Sequence, residues 1–258
     1  MYVIGFALMM LLNVFCYRNY STSRTRAVLY TLVTYVYGVT GALIMGSIYS
    51  AVSHARGVDE TSRVAIFGAL VFTPLFLIAT AAIEKKLQKI KRSNTEPKKN
   101  KNGRKQKTVS IRNTMDLLTP GIFIILTCAK LGCSFDGCCY GVECCWGVHS
   151  QYATTTVFPV QLFEFGTMCA IVIICFFLKR TKFFRRGMAF PLTAAVYSVA
   201  RFGWEFMRYY PSAMQHVFFG LTFWQFFCVI VFVASVISLA VLYKTQQSEP
   251  LPRIRKVK

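Results

Sequence analysis

Three stretches far apart in the chain carry residues able to do chemistry. The first runs Ala129-Lys130-Leu131-Gly132-Cys133-Ser134-Phe135-Asp136-Gly137-Cys138-Cys139-Tyr140-Gly141, an apolar segment that ends in a charged, Gly- and Cys-rich elbow. The second, Phe158 to Glu164, opens another apolar segment and carries a carboxylate. The third holds Arg201 and Glu205 at i and i+4, which share one helix face, and Arg208 three residues further on continues that stripe. Ionisable groups at the edge of hydrocarbon are costly and mark function or a partner. A guanidinium fork suits a phosphodiester, and carboxylates beside it can position cations and handle protons. The bland alternative is snorkelling side chains and ion pairs that only hold helices together.

Cys133, Cys138, Cys139, Cys144 and Cys145 form C-x4-C-C-x4-C-C. Zinc sites usually use well-separated C-x2-4-C pairs, so this spacing argues for no metal, and tight-turn packing or disulfides stand as the readings. Cys16, Cys128, Cys169, Cys175 and Cys228 sit in apolar runs and read as buried thiols. His54, His149 and His216 fall in polar connections or near the end of an apolar run, and are the available near-neutral bases.

The elements that must position these residues are membrane spans. Runs such as Val64 to Ile83 and Val217 to Tyr243 hold no charge, and about 20 helical residues cross a core roughly 30 Å thick. Seven spans are expected: Met1 to Cys16 (uncleaved, not a signal peptide), Ala27 to Val52, Val64 to Ile83, Met115 to Phe135, Val157 to Leu178, Met188 to Met207 and Val217 to Tyr243. Gly38, Gly41 and Gly46 permit close helix contact in the second. The fold class is all-α, one polytopic membrane domain over 1–258.

The net charge of +20 lies mainly between the spans, so topology explains it better than nucleic acid, and no nucleic-acid partner is expected. Glu84 to Asn113 holds twelve Lys or Arg against two Glu and is expected to be disordered. The connections after spans one, three and five are basic, as is the tail 244–258, whereas those after two, four and six are not. The positive-inside rule then puts the N-terminus outside and the C-terminus in the cytoplasm. Lys130, Asp136, Glu164, Arg201, Glu205 and Arg208 all fall at the outer ends of spans four to six.

The elbow and the sixth span resemble the bacterial prolipoprotein diacylglyceryl transferases. Gly137-Cys138-Cys139-Tyr140-Gly141 matches the elbow of many Gram-positive-type members. Phe158-Pro159-Val160-Gln161-Leu162-Phe163-Glu164 matches a His-Pro-x-Gln-Leu-Tyr-Glu segment, and Arg201 to Arg208 matches Arg-Phe-x-x-Glu-Phe-x-Arg. Asp116 and Pro120 match an Asp-x-x-x-Pro, and Gly220 to Gln225 the Gly-Leu-Thr-x-x-Gln that starts the last span. The matches cover roughly residue 115 onward.

The resemblance implies transfer of a diacylglyceryl group from phosphatidylglycerol to the lipobox cysteine of prolipoprotein signal peptides, releasing glycerol 1-phosphate, at the outer leaflet of the bacterial plasma membrane and without a cofactor. It implies Arg201, Glu205 and Lys130 as catalytic residues, and Asp136, Gly141, Gln161, Glu164 and Arg208 as substrate-binding residues. The departures are Lys130 for an arginine, Cys133 for an asparagine, Phe158 for a histidine, and Phe67 where a His or Tyr is found. They support a competing reading, a non-catalytic relative that binds anionic lipid or signal peptides. A membrane thiol-redox or metal-handling protein is a third.

Overall fold

The structure, a computed structural model, describes residues 1–17, 24–58, 65–93, 111–150, 153–178 and 186–246. The element order is α1 (Tyr2–Cys16), α2 (Arg24–Ala55), α3 (Ile66–Ser93), α4 (Ile111–Phe135), β1 (Glu143–His149), β2 (Thr156–Val157), α5 (Val160–Leu178), α6 (Ala189–Glu205), α7 (Ser212–Gln215) and α8 (Phe223–Gln246). Helix α4 is the hub: α1 and α5 pack along it, and α6, α3 and α2 also reach it. Helix α8 covers α6, and α2 lies against α3.

Five helices (α2, α3, α4, α5 and α8) are long and apolar enough to cross a membrane. Helix α8 is the most apolar of the five, yet Val229, Ile230, Val233, Ile237 and Val241 all face outward. Water would penalise such a face, whereas hydrocarbon does not, and a helix satisfies its own backbone there. Helix α1 has 15 residues and α6 has 17. At 1.5 Å per residue α6 spans about 26 Å, slightly short of the hydrocarbon core.

Several boundaries differ from expectation. Helix α3 runs on to Ser93 and α4 starts at Ile111, so both ends of the basic stretch are helical, and its centre (94–110) lies outside the described residues. So do Arg18, the basic residues 179–185 and the tail from 247. The last helix begins at Phe223, not at Val217, because left-handed φ at Phe219 (50°) and Gly220 (77°) turns the chain first. Thr222 and Gln225 then cap it reciprocally: the Thr222 N–H donates to Gln225 Oε1 (3.0 Å) and the Gln225 N–H to Thr222 Oγ1 (3.1 Å). The connection after α4 is an antiparallel ribbon, with Val148 opposite Val157 and His149 opposite Thr156.

Close packing depends on glycine where α2 meets α3. A Cβ at Gly41 would lie 2.7 Å from the Gly68 carbonyl oxygen, and one at Gly68 would lie 2.1 Å from that of Gly41. Of the small residues of the second span, Gly41 therefore does serve helix contact.

Asp116 joins α4 to α6. Its carboxylate accepts from the backbone N–H of Gly187 (2.6 Å) and of Ala189 (3.0 Å), two donors left over at the start of α6. The residue is buried. Asp116→Ala strands both donors and is expected to cost about 1–2 kcal/mol, read as a lower thermal midpoint in detergent.

Candidate active site

Four pieces of backbone build the site. The end of α4 supplies Lys130, the first turns of α5 supply Gln161 and Glu164, the end of α6 supplies Arg201 and Glu205, and the segment beyond α6 supplies Arg208 and Tyr210. Their order follows from the packing of α4 against α5 and α6.

The elbow is stitched to the segment after α6 through the backbone. Val142 N–H donates to the Met207 carbonyl (3.0 Å), Tyr209 N–H to that of Tyr140 (3.4 Å), and Gly141 N–H to that of Phe158 (2.9 Å). The rings of Tyr140 and Tyr209 stack at 5.8 Å. Gly141 lies opposite Arg208 in this pairing. A Cβ there would meet the Met207 oxygen at 2.3 Å and the Phe158 oxygen at 2.8 Å. Gly141→Ala is therefore expected to push the elbow off its partner and cost about 1–3 kcal/mol, with lost activity, measured by thermal melting and turnover together.

Glu164 is the centre of an ion cluster. Lys130 Nζ and Arg208 Nη2 both approach its Oε2, the latter at 3.0 Å, and Arg201 Nη1 contacts its Oε1. Glu205 takes the other side, with Arg201 Nη2 at 3.0 Å, Arg208 Nε at 3.7 Å, and a hydrogen bond from the Tyr210 hydroxyl. Lys130, Glu164, Arg201 and Glu205 are each 5% exposed or less. Three cations thus face two carboxylates in a buried place, an excess of one positive charge. Isolated charges are not kept in such surroundings, so the arrangement needs either tight pairing or an anion. Tyr210 stays a neutral donor, because burial and the Glu205 carboxylate push its phenol well above the ordinary value.

A family model described as Prolipoprotein diacylglyceryl transferase matches residues 102–241, more than half of the chain. The chain belongs to this family. It is 32% identical over 120 residues to the phosphatidylglycerol–prolipoprotein diacylglyceryl transferases of Tropheryma whipplei strains TW08/27 and Twist, covering 42% of this chain and 43% of theirs. It is 23% identical over 131 residues to phosphatidylglycerol–prolipoprotein diacylglyceryl transferase 2 of Clostridium perfringens strain 13, covering 47% and 49%. The chain spans less than half the length of each of these relatives in the match.

The matched region of this diacylglyceryl transferase family member contains the whole ion cluster. Of the residues expected at the site, Lys130, Glu164, Arg201, Glu205 and Arg208 come together, and Gly141 anchors the backbone beside them. Gln161 supports the elbow: its side-chain N–H donates to the Cys138 carbonyl (3.2 Å), and among the described residues its buried Oε1 has no hydrogen-bond donor. Asp136 lies exposed just beyond the end of α4. Tyr210 was not foreseen. Its contact with Glu205 spans a helix end, where no periodic spacing signals it.

Two of the departures in this family member, Phe67 and Phe158, fall into apolar surroundings. Phe67 is in the core against Tyr197 and Trp224, with ring centroids 6.2 Å away in each case. Phe158 stacks on Phe163 at 4.9 Å and meets Trp146 edge-on at 5.3 Å. The histidines lie elsewhere: His54 ends α2, His149 is exposed on β1, and the His216 ring bonds the Gly220 carbonyl (3.0 Å). No disulfide joins any of the ten cysteines among the described residues. Left-handed turns at Gly137 (φ 66°) and Cys139 (φ 62°) fold the elbow back on itself. The sulfurs of Cys133, Cys138 and Cys139 then lie within 4.8 Å of one another. Cys144 and Cys145 sit apart on β1.

Proposed function

We propose that this protein transfers a diacylglyceryl group from phosphatidylglycerol to the thiol of a lipobox cysteine in a prolipoprotein. The observation that carries the reading is the buried cluster of three cations on two carboxylates. A phosphodiester brings one negative charge and neutralises the excess. The guanidinium forks of Arg201 and Arg208 match its oxygens, with Lys130 as a point charge beside them. The headgroup enters by displacing carboxylate oxygens from these cations, and Gln161 Oε1 accepts from a glycerol hydroxyl.

The thiol, as thiolate, attacks the glyceryl carbon. A sulfur–carbon bond forms, the carbon–oxygen bond to phosphate breaks, and its electron pair leaves with glycerol 1-phosphate. Charge grows on the phosphate oxygens in that step, where fixed cations stabilise the transition state more than the ground state. Glu164 and Glu205 hold the cations in register, and Tyr210 fixes Glu205. The setting is a multi-pass bacterial membrane protein with seven spans, α1 to α6 and α8, the N-terminus outside and the site at the outer leaflet. The outward apolar faces and the basic connections support that arrangement.

The test uses purified protein in detergent with phosphatidylglycerol and a lipobox peptide bearing one free cysteine. Glycerol phosphate release coupled to a diacylglyceryl gain in peptide mass is the expected result. Binding of both without turnover, beside a working relative, would establish the non-catalytic reading instead. Within this assay Lys130→Arg is expected to raise turnover about tenfold or less, because a fork replaces a point charge on the same oxygens. A loss of rate would show that the site is shaped for lysine.

A further inference from the structure

Among the described residues the ion cluster lacks a group free to take the proton of an incoming thiol. Each carboxylate in it is already held by two or three cations, and Phe67 and Phe158, at the positions where relatives carry His or Tyr, hold no base. Directly beside it stands a set of three thiols that the cluster does not use. Cys133 and Cys138 are half-buried and Cys139 is exposed, so the trio opens outward on one side. Arg208, which holds Glu164 and Glu205, also lies beside Cys139, so the thiols adjoin the ion cluster.

Sulfur ligands of a tetrahedral zinc ion lie about 3.8 Å apart, from a Zn–S bond of about 2.3 Å. Sulfurs already within 4.8 Å of one another need contract by only about 1 Å to reach that spacing. Three thiolates around Zn2+ leave a net charge of −1. Lys130 is close enough to act on both Cys139 and Cys133. Three protein ligands and one open position are the pattern of a zinc site that takes part in a reaction.

We propose that Cys133, Cys138 and Cys139 hold a Zn2+ ion whose fourth position takes the thiol of the lipobox cysteine. The proposal rests on the transferase reading for the identity of that thiol. Coordination removes the thiol proton to solvent, because a metal-bound thiol is deprotonated. The bound sulfur attacks the glyceryl carbon, the carbon–oxygen bond breaks toward the phosphate held by Arg201 and Arg208, and the thioether, a poorer ligand, leaves the zinc. The metal is not consumed and no redox change occurs. The C-x4-C-C spacing hides the site in sequence, since only the left-handed turns at Gly137 and Cys139 bring its sulfurs together.

The test uses the full-length protein in detergent. One zinc per chain is expected. Exchange for Co2+ is expected to give thiolate charge-transfer absorption that Cys139→Ser reduces and Cys145→Ser leaves alone. Adding a lipobox peptide with cysteine should alter the cobalt ligand-field bands, and the same peptide with serine should not. This pair of spectra needs no variant. Chelation should lower turnover about a hundredfold or more, as loss of thiol activation would, and Zn2+ should restore it. Turnover that persists in metal-free protein overturns the zinc proposal and leaves the transferase standing. A thiol count short by two, from a disulfide in the trio, also overturns it. Cobalt bands that respond to the cysteine peptide without any glycerol phosphate release support the metal site and reject phosphatidylglycerol as donor.

Discussion

Arg201→Lys is expected to lower turnover by about two to three orders of magnitude, the loss typical when one preorganised donor to a developing oxyanion is removed. The substitution keeps the charge and removes the fork. Arg201 touches both carboxylates, Nη1 on Glu164 and Nη2 on Glu205 at 3.0 Å, the closest approach to Glu205 of any cation among the described residues. Lysine has one nitrogen and can serve only one of them at that depth, so the second carboxylate swings and the neighbouring Arg208 loses its register. Because the charge count is unchanged, the thermal midpoint should fall by only a few degrees. The measurement is turnover and melting on the same preparation. Rate retained within about threefold would mean that Arg201 serves only to pair helices, the snorkelling alternative.

Glu164→Gln is expected to have the largest effect on stability, about 3–5 kcal/mol. Glu164 is 1% exposed and is approached by Lys130, Arg201 and Arg208. Removing its charge leaves three buried cations facing Glu205 alone. An uncompensated buried charge is far more costly than a missing ion pair, which is why deleting one partner is severe where replacing the whole cluster need not be. The excess positive charge makes a specific rescue: anionic phosphatidylglycerol should restore part of the lost thermal midpoint, and zwitterionic lipid should not. A bound ligand stabilises in proportion to its occupancy of the folded state. A variant that melts like the parent in zwitterionic detergent would show that Glu164 is not the counter-charge of this cluster.

Much of the site was legible because its residues violate local expectation. A Lys, an Arg or a Glu inside an apolar run is conspicuous whatever the fold, and five of those singled out do meet. The small residues of the second span were legible for the same kind of reason, and Gly41 does pack against Gly68. Boundaries were less legible. The end of α3 carries lysines that read as a solvated loop, yet a polar helix continuing past the membrane has the same composition. The ribbon formed by β1 and β2 was missed, since a two-residue strand has no pattern of its own.

By itself the sequence determined the apolar helices, the basic connections between them, and the charged residue types placed within apolar runs. These are properties of composition and local period, set by what hydrocarbon tolerates. Apart from the Arg201–Glu205 pair on one helix face, tertiary structure decided which charge pairs with which. Glu164 became the hub because α5 packs on α4 beside α6, and Asp116 became a cap because the start of α6 falls against α4. It also decided which three of the five clustered cysteines share one place. That depends on left-handed turns and on backbone pairing between the elbow and the chain beyond α6. Contacts between segments tens of residues apart follow from how faces bury against each other, and no spacing along one segment records them.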